Sequence, residues 1–127
     1  MRRFLFVIVL LGLAILTATA QDPVKVSPEH YKVEFENDQV RILRATRGPH
    51  EKAPMHEHPE YVAIYLTDIH QKITNADGTV QEVNRKKGET SHSAPVKHAE
   101  ENISDQPLEV VVVELKPGAA RAPASVV

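Results

Sequence analysis

The stretch "YKVEF", residues 31–35, sets Tyr31, Val33 and Phe35 against Lys32 and Glu34, and this two-residue period recurs as far as Lys116. Alternation of that kind is the mark of strands with one buried face, and no helical stripe of three or four turns interrupts it. "VRILRAT" (40–46) returns after the turn at Asn37 and Asp38 as the partner of a hairpin. "HQKIT" and "TVQEV" flank "NADG" (75–78), where Gly78 can take the positive backbone angle a tight turn needs. "NRKKGE" (84–89), the short "TSHS", the segment "HAEENI" and the run "LEVVVVELK" (108–116) complete the series. "YVAIYLT" (61–67) and Val110 to Val113 are apolar without interruption, which predicts burial on both faces for the first and the strongest core strand for the second. About eight short strands at regular spacing predict an all-β sandwich or barrel, and closure would remove exposed edges.

Residues 1–20 stand apart from this pattern. Arg2 and Arg3 precede an apolar run from Phe4 to Ile15 and the small residues Ala18-Thr19-Ala20, the layout of a cleaved secretory leader, with a retained membrane anchor as the alternative. The expected organisation is a signal peptide at 1–20, an extended arm at 21–30 containing Pro23 and Pro28, a barrel at 31–116 and a flexible Ala- and Pro-rich tail at 117–127. An arm of that kind could cover a sheet edge or cross to a second copy. One domain is all that 107 residues allow. Without the two leader arginines the chain holds 13 basic and 17 acidic residues, a net charge of −4, which argues against nucleic acid or an anionic membrane as a partner. The chain has no cysteine, so disulfides and thiol catalysis are excluded. No phosphate loop, nucleotide fingerprint or nucleophilic triad is present.

The segment "HEHPEY" (56–61) raises the question of chemistry. In an extended chain His56 and His58 point to the same face and Glu57 to the other, so two imidazoles can share one cation. His98 lies forty residues further on, and barrel closure would carry it next to the pair. His30, His50 and His70 read as surface residues.

With these histidines in a strand framework, the chain resembles the cupin superfamily, small single-domain proteins built as a β-barrel of the double-stranded β-helix or jelly-roll type. "GPHEKAPMHEHPEYVAIYLTD" (48–68) matches the family's first motif and "GETSHSAPVKHAEEN" (88–102) its second. The resemblance implies that His56, His58 and His98 take the metal-binding places and Asn102 the second motif's asparagine. The family's glutamate ligand would fall at Val62 or Ala63, neither of which binds a metal, and Glu60 lies two residues too early. Asp68 stands where the first motif closes on glycine, and "SAPVK" departs from the proline and glycine of the second. What remains is a three-histidine site for a divalent ion, Zn, Fe, Ni, Mn or Cu, with open positions for water, oxygen or a substrate donor.

Glu100 shares strand parity with His98 and Asn102 and is open to three roles: fourth ligand, general base, or acceptor orienting a histidine. Asn102, Glu60, Tyr65 and His92 complete the expected surroundings of the pocket, Glu60 at its mouth and Tyr65 in the core or at the rim. The expectation is an exported protein, periplasmic or secreted, that binds a divalent metal and binds or acts on a small organic anion by dioxygenase-like or hydrolase- and isomerase-like chemistry. The alternatives are a non-catalytic metal- or ligand-binding module, and a barrel without metal. A homodimer is compatible with the arm and the apolar strands.

Overall fold

The computed structural model describes residues 21–118, so the expected leader and residues 119–127 of the expected tail lie outside the described residues. A single helical turn, α1 (Pro23–Val26), precedes nine strands: β1 (Tyr31–Glu36), β2 (Val40–Arg47), β3 (Lys52–His58), β4 (Tyr61–Tyr65), β5 (Ile69–Asn75), β6 (Val80–Arg85), β7 (Thr90–Ser93), β8 (Val96–Asn102) and β9 (Leu108–Leu115). They form two facing antiparallel sheets, one of five strands in the order β1-β2-β9-β4-β7 and one of four in the order β3-β8-β5-β6. The hairpins at Asn37 and at Asp77 and Gly78 stand where turn chemistry puts them. Asn37 Oδ1 accepts from the amides of Gln39 and Val40, and Gly78 sits at φ 86°. The core between the sheets is built on Leu43, Ala45, Ala63, Ile69, Leu108, Val110 and Val112. Each large aliphatic side chain buried there contributes about 1.5–3 kcal/mol.

Several expectations need correction. Among the described residues the sheets do not close into a barrel, because no ladder joins the edge strands of one sheet to those of the other. Closure is a matter of long-range pairing, and alternation within a strand carries no information about it. The edges are protected in other ways. β3 carries Pro54, and its Glu57 amide donates to the Gln21 carbonyl at 2.8 Å, so the N-terminal segment covers that edge. That segment, expected to be extended, contains the turn of α1, which Asp22 caps through Val24 N–H.

The histidine segment is a strand of its own, separated from β4 by Pro59 and Glu60 and lying in the opposite sheet. β4 and β9 alternate in burial, so the apolar runs are covered on one face and half-buried on the other. In β1 only Tyr31 is buried. A bulge pairs Val33 with Leu43 but Phe35 with Ile42, which turns Phe35 to the outer face. His30, expected at the surface, is buried, with its Nδ1 donating to the Thr46 carbonyl at 2.9 Å.

Candidate metal centre

His56 and His98 are direct cross-strand partners in the register of β3 with β8, and His58 stands two residues along β3 on the same face. All three are buried. The parity expected for His56 and His58 therefore holds, and strand pairing rather than barrel closure brings His98 to them. One ring nitrogen from each lies within 4.8 Å of the other two. A point within about 2.8 Å of all three follows from that spacing, so a small inward movement of the rings reaches the roughly 2.0–2.1 Å of an imidazole–zinc bond.

Hydrogen bonds settle which nitrogens face the centre. His56 Nδ1 lies 2.7 Å from the Pro54 carbonyl, and His58 Nδ1 lies 2.7 Å from Glu114 Oε1. A carbonyl and a carboxylate only accept, so both rings donate from Nδ1 and keep the Nε2 lone pair free. His98 Nε2 is sealed from solvent and has no hydrogen-bond partner. A buried imidazole nitrogen without a protein partner, beside two rings that keep Nε2 unprotonated, is a donor set that fits an ion accepting three neutral imidazoles.

Protonation states agree with that use. Burial, and then the neighbouring His58, pushes His56 down to about 4. Burial, His56 and His58 push His98 down to about 3. Near neutral pH these two rings are uncharged, the form that coordinates a metal.

The four-stranded sheet carries the histidines, and the five-stranded sheet carries the groups that orient them. Glu114 of β9 is almost fully buried; burial raises its pKa, but the hydrogen bonds from His58 and Arg41 outweigh this and hold it below the usual carboxylate range. Arg41 Nε donates to Glu114 Oε2 at 2.7 Å, and its NH1 to Asp22 Oδ2 at 2.8 Å. A relay of alternating charge thus runs from the cap of α1 to the ring of His58. Carboxylates behind metal-binding histidines fix ring orientation and raise ligand basicity in this way.

Tyr31 of β1 approaches from the other side. Its hydroxyl donates to Glu100 Oε2 at 2.5 Å, accepts from Arg47 at 2.8 Å and lies 3.2 Å from His56 Nε2. Burial pushes that hydroxyl up to about 12, so it stays protonated. Glu100 faces the interior, ion-paired with Arg47, its oxygens 3.7 Å from His98 Nε2 and 3.9 Å from His56 Nε2. It stands beside the triad without joining the set of mutually close ligand atoms.

The other expected residues separate into two groups. Tyr65, whose hydroxyl pairs with Ser91 Oγ at 2.9 Å, and His92, which pairs with Glu60 at 2.8 Å, line or rim a cavity of about 200 Å³. This cavity opens where β6 and β7 fail to pair, and it reaches His98 and Glu100. The gap in the barrel is therefore its mouth. Asn102 is different: its Nδ2 donates to the carbonyls of Gly48 and Gln106, and its Oδ1 accepts from Ser104. It anchors the turn before β9 instead of touching the histidines.

Glu114, Arg41, Arg47 and Tyr31 were not singled out as site residues from sequence, yet a signal was there. Glu114 shares parity with Val110 and Val112, and Arg41 and Arg47 with Leu43 and Ala45. A charge at an inward position of a core strand must be paired.

No family model matches the chain, and no curated protein does. Solved structures do. A cupin domain from Bordetella pertussis is 22% identical with a TM-score of 0.63, the match covering 68% of this chain and 91% of that one. A double-stranded β-helix protein from Klebsiella pneumoniae is 20% identical with a TM-score of 0.57, over 75% and 84% of the two chains. A cupin family protein from Methanocaldococcus jannaschii is 20% identical with a TM-score of 0.55, over 67% and 77%. The chain has the cupin fold, in the form of an open two-sheet jelly roll.

Proposed function

We propose that this cupin-fold protein binds one divalent metal ion through Nε2 of His56, His58 and His98 and takes a small organic anion at the coordination positions left open. The observation that carries the reading is the buried, unpartnered His98 Nε2 next to two imidazoles whose Nδ1 atoms are already committed. When bound, the ion supplies Lewis acidity and open positions, the chemistry of metal-assisted hydrolysis and isomerisation and of oxygen activation. Three neutral ligands leave its double charge intact, which favours an anion. Arg85 at the mouth adds a positive charge on the way in. Glu114 holds His58 in its tautomer, Pro54 holds His56, and the apolar core behind them excludes water. Glu100 and Tyr31 are the groups within reach that can hold a proton beside the open face. The reading includes export to the periplasm or beyond, supported by the leader-like pattern of residues 1–20.

A non-catalytic binding module is the second reading. It is favoured by the pairing of Glu100 with Arg47 and Tyr31, which already engages the nearest carboxylate. Turnover of a panel of small acids by protein loaded with Fe, Mn, Ni or Zn separates the two. The metal itself is tested by elemental analysis after anaerobic purification without an affinity tag, where about one equivalent per chain is expected. Less than a tenth of an equivalent, even after reconstitution, overturns the proposal.

A further inference from the structure

Ile69, Gln71 and Ile73 are successive inward positions of β5, and the middle one is polar. Gln71 is 7% exposed, and its Oε1 is sealed from solvent without a hydrogen-bond partner. Arg47, 3% exposed, has an equally sealed Nε. No protein group donates to the one or accepts from the other, and a buried amide oxygen calls for a donor.

The two residues share a wall. Gln71 and Arg47 both line an internal chamber of about 30 Å³, together with Tyr31 and Glu100. Gln71, Glu100, Tyr61 and Tyr65 also line the larger cavity that leads past His98 to the surface. Among the described residues, the buried side-chain atoms without partners are Arg47 Nε, Gln71 Oε1 and His98 Nε2, and all three belong to the walls of these adjoining spaces.

We infer that the small anion taken at this centre is a short aliphatic hydroxycarboxylate, and that Gln71 is the residue that selects for its hydroxyl. The inference rests on the metal and anion reading above and names the ligand class. Gln71 Oε1 only accepts, so it calls for a donor on the ligand; Arg47 Nε only donates, so it calls for an oxygen. A hydroxyl supplies the first, and a hydroxyl or carboxylate oxygen the second. A keto acid or an unsubstituted acid brings no donor and leaves Oε1 unpaired. The chamber has room for a group the size of a hydroxyl or hydroxymethyl and none for a ring, since a single water already needs roughly 10–15 Å³.

The test is calorimetric titration of the zinc-loaded full chain with lactate, propionate and pyruvate. Lactate is expected to bind at least tenfold more tightly than either of the others, about 1.4 kcal/mol. In Gln71→Leu that preference should fall below threefold, while zinc affinity, read by competition with a chelator, stays within threefold of wild type. Equal affinities for the three acids in the wild-type protein overturn the inference, as does a preference that survives in Gln71→Leu. If Gln71→Leu does not fold, Gln71→Met, of similar length and without the amide, is read in its place with the same loss of preference expected. Zinc binding with no binding of any acid overturns both the ligand class and the anion reading. A chain that binds no zinc overturns the metal reading and the inference with it.

Discussion

His58 donates from Nδ1 to Glu114 Oε1 across 2.7 Å, joining residues 56 positions apart in the chain and located in opposite sheets. Arg41 occupies the other oxygen of the same carboxylate, so Glu114 is held from both sides and the imidazole takes one tautomer and one orientation.

Glu114→Gln should weaken zinc binding about 10- to 100-fold, the usual cost of removing a carboxylate behind a metal-binding histidine. Chelator competition measures it. Glu114→Ala should also lower stability by about 3–5 kcal/mol, because Arg41 then loses its most buried partner. Unchanged zinc affinity in Glu114→Gln would remove the orienting role.

Stability of the metal-free protein should fall as pH drops below the unfolded-state histidine pKa of about 6.5. His56 is lowered to about 4 and His98 to about 3 in the fold. Between 6.5 and those values the unfolded chain binds protons that the folded chain refuses, so each ring takes away about 1.4 kcal/mol per pH unit. Above pH 6.5 neither ring contributes. Urea midpoints at about pH 7.5 and pH 5 read the effect directly, and equal midpoints would contradict the burial of neutral imidazoles at the centre. The acid limb should steepen when zinc is present, since protons then compete with the ion as well.

Glu100→Gln should leave zinc affinity within about threefold of wild type, because Glu100 is engaged by Arg47 and Tyr31 and stands outside the ligand set. If the protein turns over an acid, the same variant should lower kcat more than zinc affinity. A hundredfold loss of zinc binding would identify Glu100 as a fourth ligand instead.

Asn102→Ala should cost stability without changing zinc affinity. Its side chain ties Gly48, Ser104 and Gln106 together, and breaking those buried bonds is worth about 1–3 kcal/mol. Thermal unfolding and chelator competition on one sample separate this anchoring role from a place at the metal.

The pairing of His56 with His58 on one face was legible from spacing alone, because the period of an extended chain is a local property that tertiary context leaves intact. The turns at Asn37 and Gly78 were legible for the same reason. Less could be read where a bulge intervened: one extra residue at Glu34 shifted Phe35 to the outer face, and alternation cannot announce the insertion. Glu114 and Gln71 were half-visible, as polar residues at inward positions of apolar strands. Their sequence context could say that a partner was needed but not which one.

The sequence by itself determined that this chain is a set of short strands with two imidazoles presented to one side, since backbone geometry and burial periodicity act over a few residues. Tertiary structure alone decided that His98 stands opposite His56, that Glu114, Arg41, Tyr31 and Arg47 arrive from the facing sheet, and that the sheets stay open where the cavity reaches the surface. Those contacts join residues dozens of positions apart. Their identity depends on which strands pair and in what register, a choice made by the packing of the whole core and by the need to pair every charge buried within it.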